Sequence, residues 1–495
     1  MRLLGLVPPG PRQPHAAYAL EELMRRLGVA RTIGVWGGEA DSAEVVAGSQ
    51  PVSAERFDGI LAYGPASIRA WPGPPKPTVH VLASGFFGDD FESAASVPRL
   101  RPQGSGQSPA LFTARDSPLS QQERVVALRE DWVASTYFLL AGHEERVMPA
   151  WDDHGRLDGP RALPARAGFI GRPVVEDYAA QIREAFARAG LAIAPRQPWP
   201  GAAPFAALLT ADVDLPRRNT WRAVASRLLG RPTGMPVDSR SPPGALSYVP
   251  RGDERDPYLA SLLRLARERP GRPSVQTFFF LSGRHGRRDP YVLQSDPALA
   301  RQAVDLALSG REIALHAPYD CWLNASDYAQ ALDSFEAATG TRPCGVRQHF
   351  LRFRCPQTWR AQAEAGLVYD ASAGFASYEG FRFGTSLPFQ AFDAERGRTL
   401  SLWIIPLAAM DTTLRAYRGF EPKDAEEQLQ RLAGQARRVG GALSLLLHNS
   451  STGEGWRGWE EIFDSFLADL AEQNPWTPTV AQFLDSWQRI ADPES

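Results

Sequence analysis

The stretch Ala206-Ala207-Leu208-Leu209-Thr210-Ala211-Asp212-Val213-Asp214 decides the fold. An apolar run with no polar alternation reads as a strand buried on both faces, as strands of parallel sheets are. This one stops at two carboxylates. Working outward, the same design recurs in Ile313-Ala314-Leu315-His316, Gly345-Val346-Arg347-Gln348-His349, Leu367-Val368-Tyr369-Asp370 and Leu445-Leu446-Leu447-His448. Each run ends on an ionisable side chain, and in a parallel α/β barrel the chemistry collects at the C-terminal ends of the strands. Seven apolar runs follow one another at 206–209, 275–281, 313–315, 344–346, 366–369, 402–407 and 442–447, with helical patterns between them. They predict an α/β protein whose C-terminal part is a distorted (β/α)7 barrel.

The chain has 495 residues, more than one ordinary domain needs. Proline-rich 195–204 reads as a linker. It predicts a smaller α/β domain over 1–198 and the barrel over 199–495, with an irregular, Pro/Gly-rich insertion at about 230–256. In the first part, Arg2–Val7, Thr32–Trp36, Gly59–Tyr63 and Thr78–Leu82 read as strands. Ala16–Leu27 and Asp131–Glu145 read as helices. No phosphate-binding loop follows any of these strands.

Hydrophobic residues make up 43%, enough for real cores, and a formal net charge of -2 gives no call for nucleic acid or an anionic membrane. Three cysteines without CxxC spacing argue against a disulfide framework or a thiolate zinc site. Neither a secretory leader nor an apolar run of membrane-spanning length is evident, so a cytoplasmic location without a membrane span is expected.

Residues two apart on a strand share a face. Asp212 and Asp214 therefore offer two carboxylates to one site, one to bind a divalent cation and one to take a proton from water. Taken alone, such a pair is more often a helix cap and a loop charge. His316 is a candidate metal ligand, and Asp320, four residues on, would share a helical face with it. Arg347 beside a carboxylate would keep it ionised, and His349 would reach the metal or the substrate. Asp370 and His448 suggest a carboxylate orienting an imidazole that acts as general acid. Arg352 and Trp456 are candidate substrate contacts, though core packing is the commoner role of any one aromatic residue.

These residues resemble, in order, the motifs of the polysaccharide deacetylases of carbohydrate esterase family 4: Asp212/Asp214, His316, Arg347, Asp370 and His448. The resemblance covers about 204–490. Trp151-Asp152-Asp153-His154-Gly155-Arg156 and Phe169–Val175 also look like an uncharacterised domain that precedes such deacetylases in bacterial surface-polysaccharide systems. The resemblance implies Asp212 as base, Asp214 and His316 as ligands, Arg347 tuning Asp212, and His448 as acid supported by Asp370. It implies zinc, with manganese, cobalt or nickel as substitutes, and an acetylated saccharide as substrate. Three departures stand out: Asp320 replaces the second histidine of the second motif, Ala211 stands where relatives often carry histidine, and Gln348-His349-Phe350 alters the third motif. They leave open a decayed, non-catalytic carbohydrate binder, or another amide hydrolase on the same fold.

Overall fold

Ala206–Val213 is buried along its whole length, and it lies inside a nine-stranded sheet flanked by parallel neighbours on both sides. The computed structural model describes residues 1–37, 44–47, 50–51, 56–64, 76–98, 109–114, 124–219, 256–451 and 456–491. The insertion expected at 230–256 lies, apart from Asp256, outside them.

A first sheet holds β1 (Arg2–Val7), β2 (Ala30–Gly37), β3 (Glu44–Ala47), β4 (Gln50–Pro51), β5 (Gly59–Gly64), β6 (Thr78–Leu82) and β7 (Val125–Leu128) in the order β4-β3-β2-β1-β5-β6-β7. The strand readings of this part hold to within a residue or two at their ends. The helix expected over Asp131–Glu145 is instead two, Trp132–Leu140 and His143–Val147. Gly142, at φ 61°, breaks it, and a Cβ there would lie 2.9 Å from the Cys355 sulfur. Close approach of another chain segment, rather than helix propensity, ends the first helix.

The second sheet holds β8 (Ala206–Val213), β9 (Thr277–Leu281), β10 (Glu312–Ala317), β11 (Gly345–Gln348), β12 (Tyr369–Ala373), β13 (Phe389–Asp393), β14 (Arg398–Pro406), β15 (Ala409–Met410) and β16 (Ala442–His448). Its order is β13-β14-β12-β11-β10-β9-β8-β16-β15. All pairs are parallel except β13 with β14. Only two residues separate β14, on one flank, from β15, on the other, so the sheet must curl until its flanks meet. The expected seven-stranded barrel is thus observed as a curled sheet of nine strands.

Two helices of the second part start at an aspartate cap. Asp296 accepts from Leu299 N (3.1 Å) ahead of Pro297–Leu308, and Asp256 accepts from Tyr258 N (3.0 Å) ahead of Pro257–Ala266. At β11, a Cβ on Gly345 would lie 1.8 Å from the Tyr369 ring. The ring fits only over glycine, and its hydroxyl reaches on to Glu312 (2.7 Å), tying β10, β11 and β12 together.

One hydrophobic cluster runs from Leu3 in β1 to Leu470, so the two parts share a core. Buried polar contacts cross between them. Arg26 meets Thr385 (3.1 Å), and Glu145 meets Arg382 (2.6 Å). Among the described residues no helix is long and apolar enough to cross a membrane.

Two histidines of this shared core set an acid limit. His15 packs against Phe91 and Phe392, each at 5.3 Å, and holds Ala394 O at 3.2 Å. Burial, with Arg12 and Arg146 nearby, lowers its pKa to about 4 against the pull of Ala394 O. His143 is lowered to about 3 by burial, Arg146 and His15. The fold accepts both rings neutral, so the unfolded chain binds more protons below the ordinary value near 6.5. Their contribution is complete above that pH and lost as pH falls toward 4. The loss is up to about 1.4 kcal/mol per pH unit for each ring. Denaturant unfolding from pH 6.5 to 4.5 should show this slope, and His15→Gln with His143→Gln should flatten it. An unchanged slope would show that other groups carry the acid sensitivity.

Candidate metal centre and acid–base groups

Asp212 and Asp214 end β8, His316 ends β10, and His349 follows β11, so parallel strands side by side deliver four groups to one rim. Ligand atoms of Asp214, His316 and His349 all lie within 4.8 Å of one another. His316 Nε2 is 3.0 Å and His349 Nε2 is 3.7 Å from Asp214 Oδ1. Each imidazole is held from behind by its other nitrogen. His316 Nδ1 lies 3.0 Å from the Arg347 carbonyl, and His349 Nδ1 lies 2.7 Å from Asp289 Oδ1. A carbonyl or carboxylate at Nδ1 fixes the proton there and leaves Nε2 with a free lone pair, the arrangement by which proteins present histidine to a cation.

Asp289 is itself fixed by backbone donors, Tyr319 N (2.9 Å) and Gly286 N (3.0 Å). Although burial would raise its pKa, His349 and these donors hold it below the ordinary range. Burial likewise works against ionised Asp214, yet His349, His316 and His448 hold its pKa far below that of a free aspartate. His316 is raised, with Asp212 and Asp214 outweighing burial. Phe350 and Leu351, at φ 64° and 51°, carry the turn that brings His349 inward. Consecutive non-glycine residues in the left-handed region cost of order 1–3 kcal/mol each and persist only where the surroundings impose them.

Asp212 faces a different partner. Arg347 is wholly buried over the Phe279 ring, 4.2 Å from its centroid, and donates to Asp212 Oδ1 and Thr210 Oγ1, each at 2.8 Å. The other Asp212 oxygen lies 3.7 Å from His316 Nε2, beside the cluster. Across the cluster, His448 Nε2 is 3.4 Å from Asp214 Oδ2. Asp411 grips His448 twice, at ring Nδ1 (2.6 Å) and backbone N (2.7 Å). Burial would lower the His448 pKa, but Asp411, then Asp214 and Asp212, bring it up to about 10.

The structure corrects three expected roles. Asp320 is not in the cluster: its side chain is 74% exposed and meets Arg352 at 3.5 Å. The loop after β10 turns outward there, and His349 is the third residue that lies with Asp214 and His316. Asp370 does not support His448. It is buried, with a pKa raised by that burial, and is satisfied by Ser372 N at 2.7 Å and by the Ser372 hydroxyl. Arg352 lies outside the cleft, donating to His154 O and Tyr319 O, each at 3.0 Å. Trp456 does line the cleft, although it is almost fully buried beneath Arg415.

The cleft has a volume of about 220 Å³. Asp212, Asp214, His316 and His448 form its floor, and Phe350 and Tyr417 stand on its wall. Arg156, from the first part of the chain, reaches the same cleft and donates to Phe350 O.

A family of unknown function, DUF7033, matches residues 81–190, a span that includes 151–156 and 169–175. No match was found among curated proteins. Among solved structures, a Mycobacterium smegmatis protein assigned as a polysaccharide deacetylase shares 19% identity over 60% of this chain and 94% of its own, with a TM-score of 0.40. A carbohydrate esterase family 4 pseudoenzyme from Bacillus anthracis shares 14% over 57% of this chain and 66% of its own, at 0.30. A mutant of the peptidoglycan deacetylase PdaC from Bacillus subtilis shares 13% over 59% and 95%, at 0.27. Likeness this remote leaves the chemistry to be read from the side chains described above.

Proposed function

We propose that this chain is a metal-dependent hydrolase that removes N-acetyl groups from a saccharide, such as an exopolysaccharide or surface-polysaccharide intermediate. The observation that carries the reading is the paired presentation of His316 and His349: each is held at Nδ1, and each turns Nε2 on Asp214. A His/His/Asp donor set fits zinc, with cobalt, nickel or manganese as alternatives. Bound there, the cation would polarise an acyl carbonyl and make water easier to ionise.

The chain's own groups divide the proton work. Asp212, held by Arg347 and lying beside the ligands, accepts the proton of the attacking water as oxygen bonds to the acyl carbon. His448, held by Asp411 on the far side of Asp214, gives a proton to the departing nitrogen as the C–N bond breaks. Acetate and a free amine result. A half-exposed Tyr417 and Phe350 on the cleft wall supply apolar faces of the kind sugar rings cover.

The test pairs elemental mass spectrometry of the purified chain with amine release from N-acetylglucosamine oligomers. About one metal per chain and measurable release are expected. Asp212→Asn should keep the metal and lower release by ~10²–10⁴-fold, the range over which a positioned base acts. Metal without release on any acetylated saccharide would favour the binding-only alternative. Full release in Asp212→Asn would remove Asp212 as the base.

A further inference from the structure

Beyond the cleft mouth, aromatic rings and guanidinium groups alternate across a surface built by both parts of the chain. Arg288 and Arg352 lie over the Tyr319 ring, at 4.8 and 4.2 Å. Arg352 also lies 4.0 Å from the Trp322 ring, and Arg354 spans from Trp322 (5.1 Å) to Trp151 (4.4 Å). The ladder joins the cleft through Phe350, whose ring is 5.3 Å from Tyr319 and 4.6 Å from His349.

Two features set what such a surface can hold. Tyr319 and Trp322 each have two guanidinium groups stacked on them, so bare ring is scarce for an uncharged sugar. Among the described residues, moreover, the only carboxylate within 4 Å of these three arginines is Asp320, 3.5 Å from Arg352. Arg288 is exposed, and among the described residues Arg354 spends only its Nε, on Gly155 O at 3.3 Å. Gly155 leaves room for that arginine, since a Cβ there would come within 3.1 Å of Arg354 Nη2. Arg352 already gives Nε to His154 O and Nη1 to Tyr319 O, so it braces the rings. The open N–H forks on these aromatic supports are those of Arg288 and Arg354, the geometry that recognises carboxylates in pairs of hydrogen bonds.

We infer that Arg288 and Arg354, set on this ladder and braced by Arg352, bind the carboxylates of a uronate-bearing glycan strand whose acetylated residue enters the cleft. The inference rests on the reading of the cleft as a saccharide site. It narrows the substrate class to an acidic polysaccharide, although the chain as a whole carries a net charge of -2.

The experiment is calorimetric titration of the full chain in low-salt buffer with a galacturonate hexamer, a neutral N-acetylglucosamine hexamer and an oligothymidylate of equal charge. The acidic glycan should bind most tightly. Joint replacement Arg288→Met and Arg354→Met should weaken it roughly tenfold, in keeping with the loss of two partly exposed charge-assisted contacts. Metal content and binding of the neutral hexamer should not change. Arg288→Lys with Arg354→Lys, which keeps the charge but not the fork, should fall between. Undiminished uronate binding in the Met pair, no uronate binding by the wild type, or equal binding of the oligothymidylate would overturn the inference. Absence of metal with uronate binding intact would instead fault the hydrolase reading and leave the ladder standing.

Discussion

His349→Ala is expected to lower metal affinity by at least ~100-fold, whereas Asp320→Ala should leave it unchanged. Three protein ligands with an open position are the least that a catalytic zinc site uses, and losing His349 leaves only Asp214 and His316. The variant also strands Asp289, a buried carboxylate now accepting from the His349 ring at 2.7 Å. Asp289→Asn separates the two effects. It keeps an acceptor at the ring but removes the charge, and outer-shell changes of this kind cost ~10–100-fold. The order of affinity should therefore be wild type and Asp320→Ala together, then Asp289→Asn, then His349→Ala, read by competition with a chromogenic chelator. Equal affinity of His349→Ala and wild type would return the third ligand to some other residue.

Arg347→Met should be the most destabilising single change at the site, by ~3–5 kcal/mol, because it leaves Asp212 as a buried charge without its partner. The arginine makes three hydrogen bonds, to Ala371 O, Thr210 and Asp212, while wholly buried over Phe279. Adding Asp212→Asn to Arg347→Met should recover much of the loss, since the orphaned charge disappears with it. Chemical denaturation of the two single variants and the double variant closes the cycle. Additive losses would mean that Arg347 acts through packing alone.

Five of the seven apolar runs lead straight into ionisable residues. Asp212, Asp214, His316, Arg347, His349 and His448 do meet within one cleft and its immediate shell. The two runs left without such a residue, 275–281 and 402–407, lead to the two carboxylates that were missed. Asp289 sits eight residues beyond Leu281, among arginines that make it look like a loop charge. Asp411 follows Leu407-Ala408-Ala409-Met410, a stretch that reads as more core. Strand periodicity places the last residue of a strand, but not where a loop returns after several residues. For the same reason Asp320, given a ligand's role by its i, i+4 spacing from His316, points outward. Asp370 differs: β12 runs Tyr369–Ala373, so Asp370 stands near the start of its strand rather than at its end, and short-range bonding to Ser372 satisfies it locally.

The fold shows the same division. Local signals gave β1, β2, β5 and β6 of the first sheet, but not β3, β4 or β7. Contacts distant in sequence decided the rest, as where Cys355 crowds Gly142 and splits a helix, or where β14 and β15 close the curl.

Arg382 carries a consequence for inheritance. Its guanidinium sits among the rings of Phe353, Phe375 and Phe383, at 4.2, 4.9 and 5.3 Å, and the carboxylate that neutralises it, Glu145, comes from the first part of the chain. Any recombination that brought in a foreign first part without that acid would leave a cation sealed in apolar surroundings, a penalty of several kcal/mol. The two parts of this molecule can therefore diverge together, but they are poor candidates for exchange between lineages.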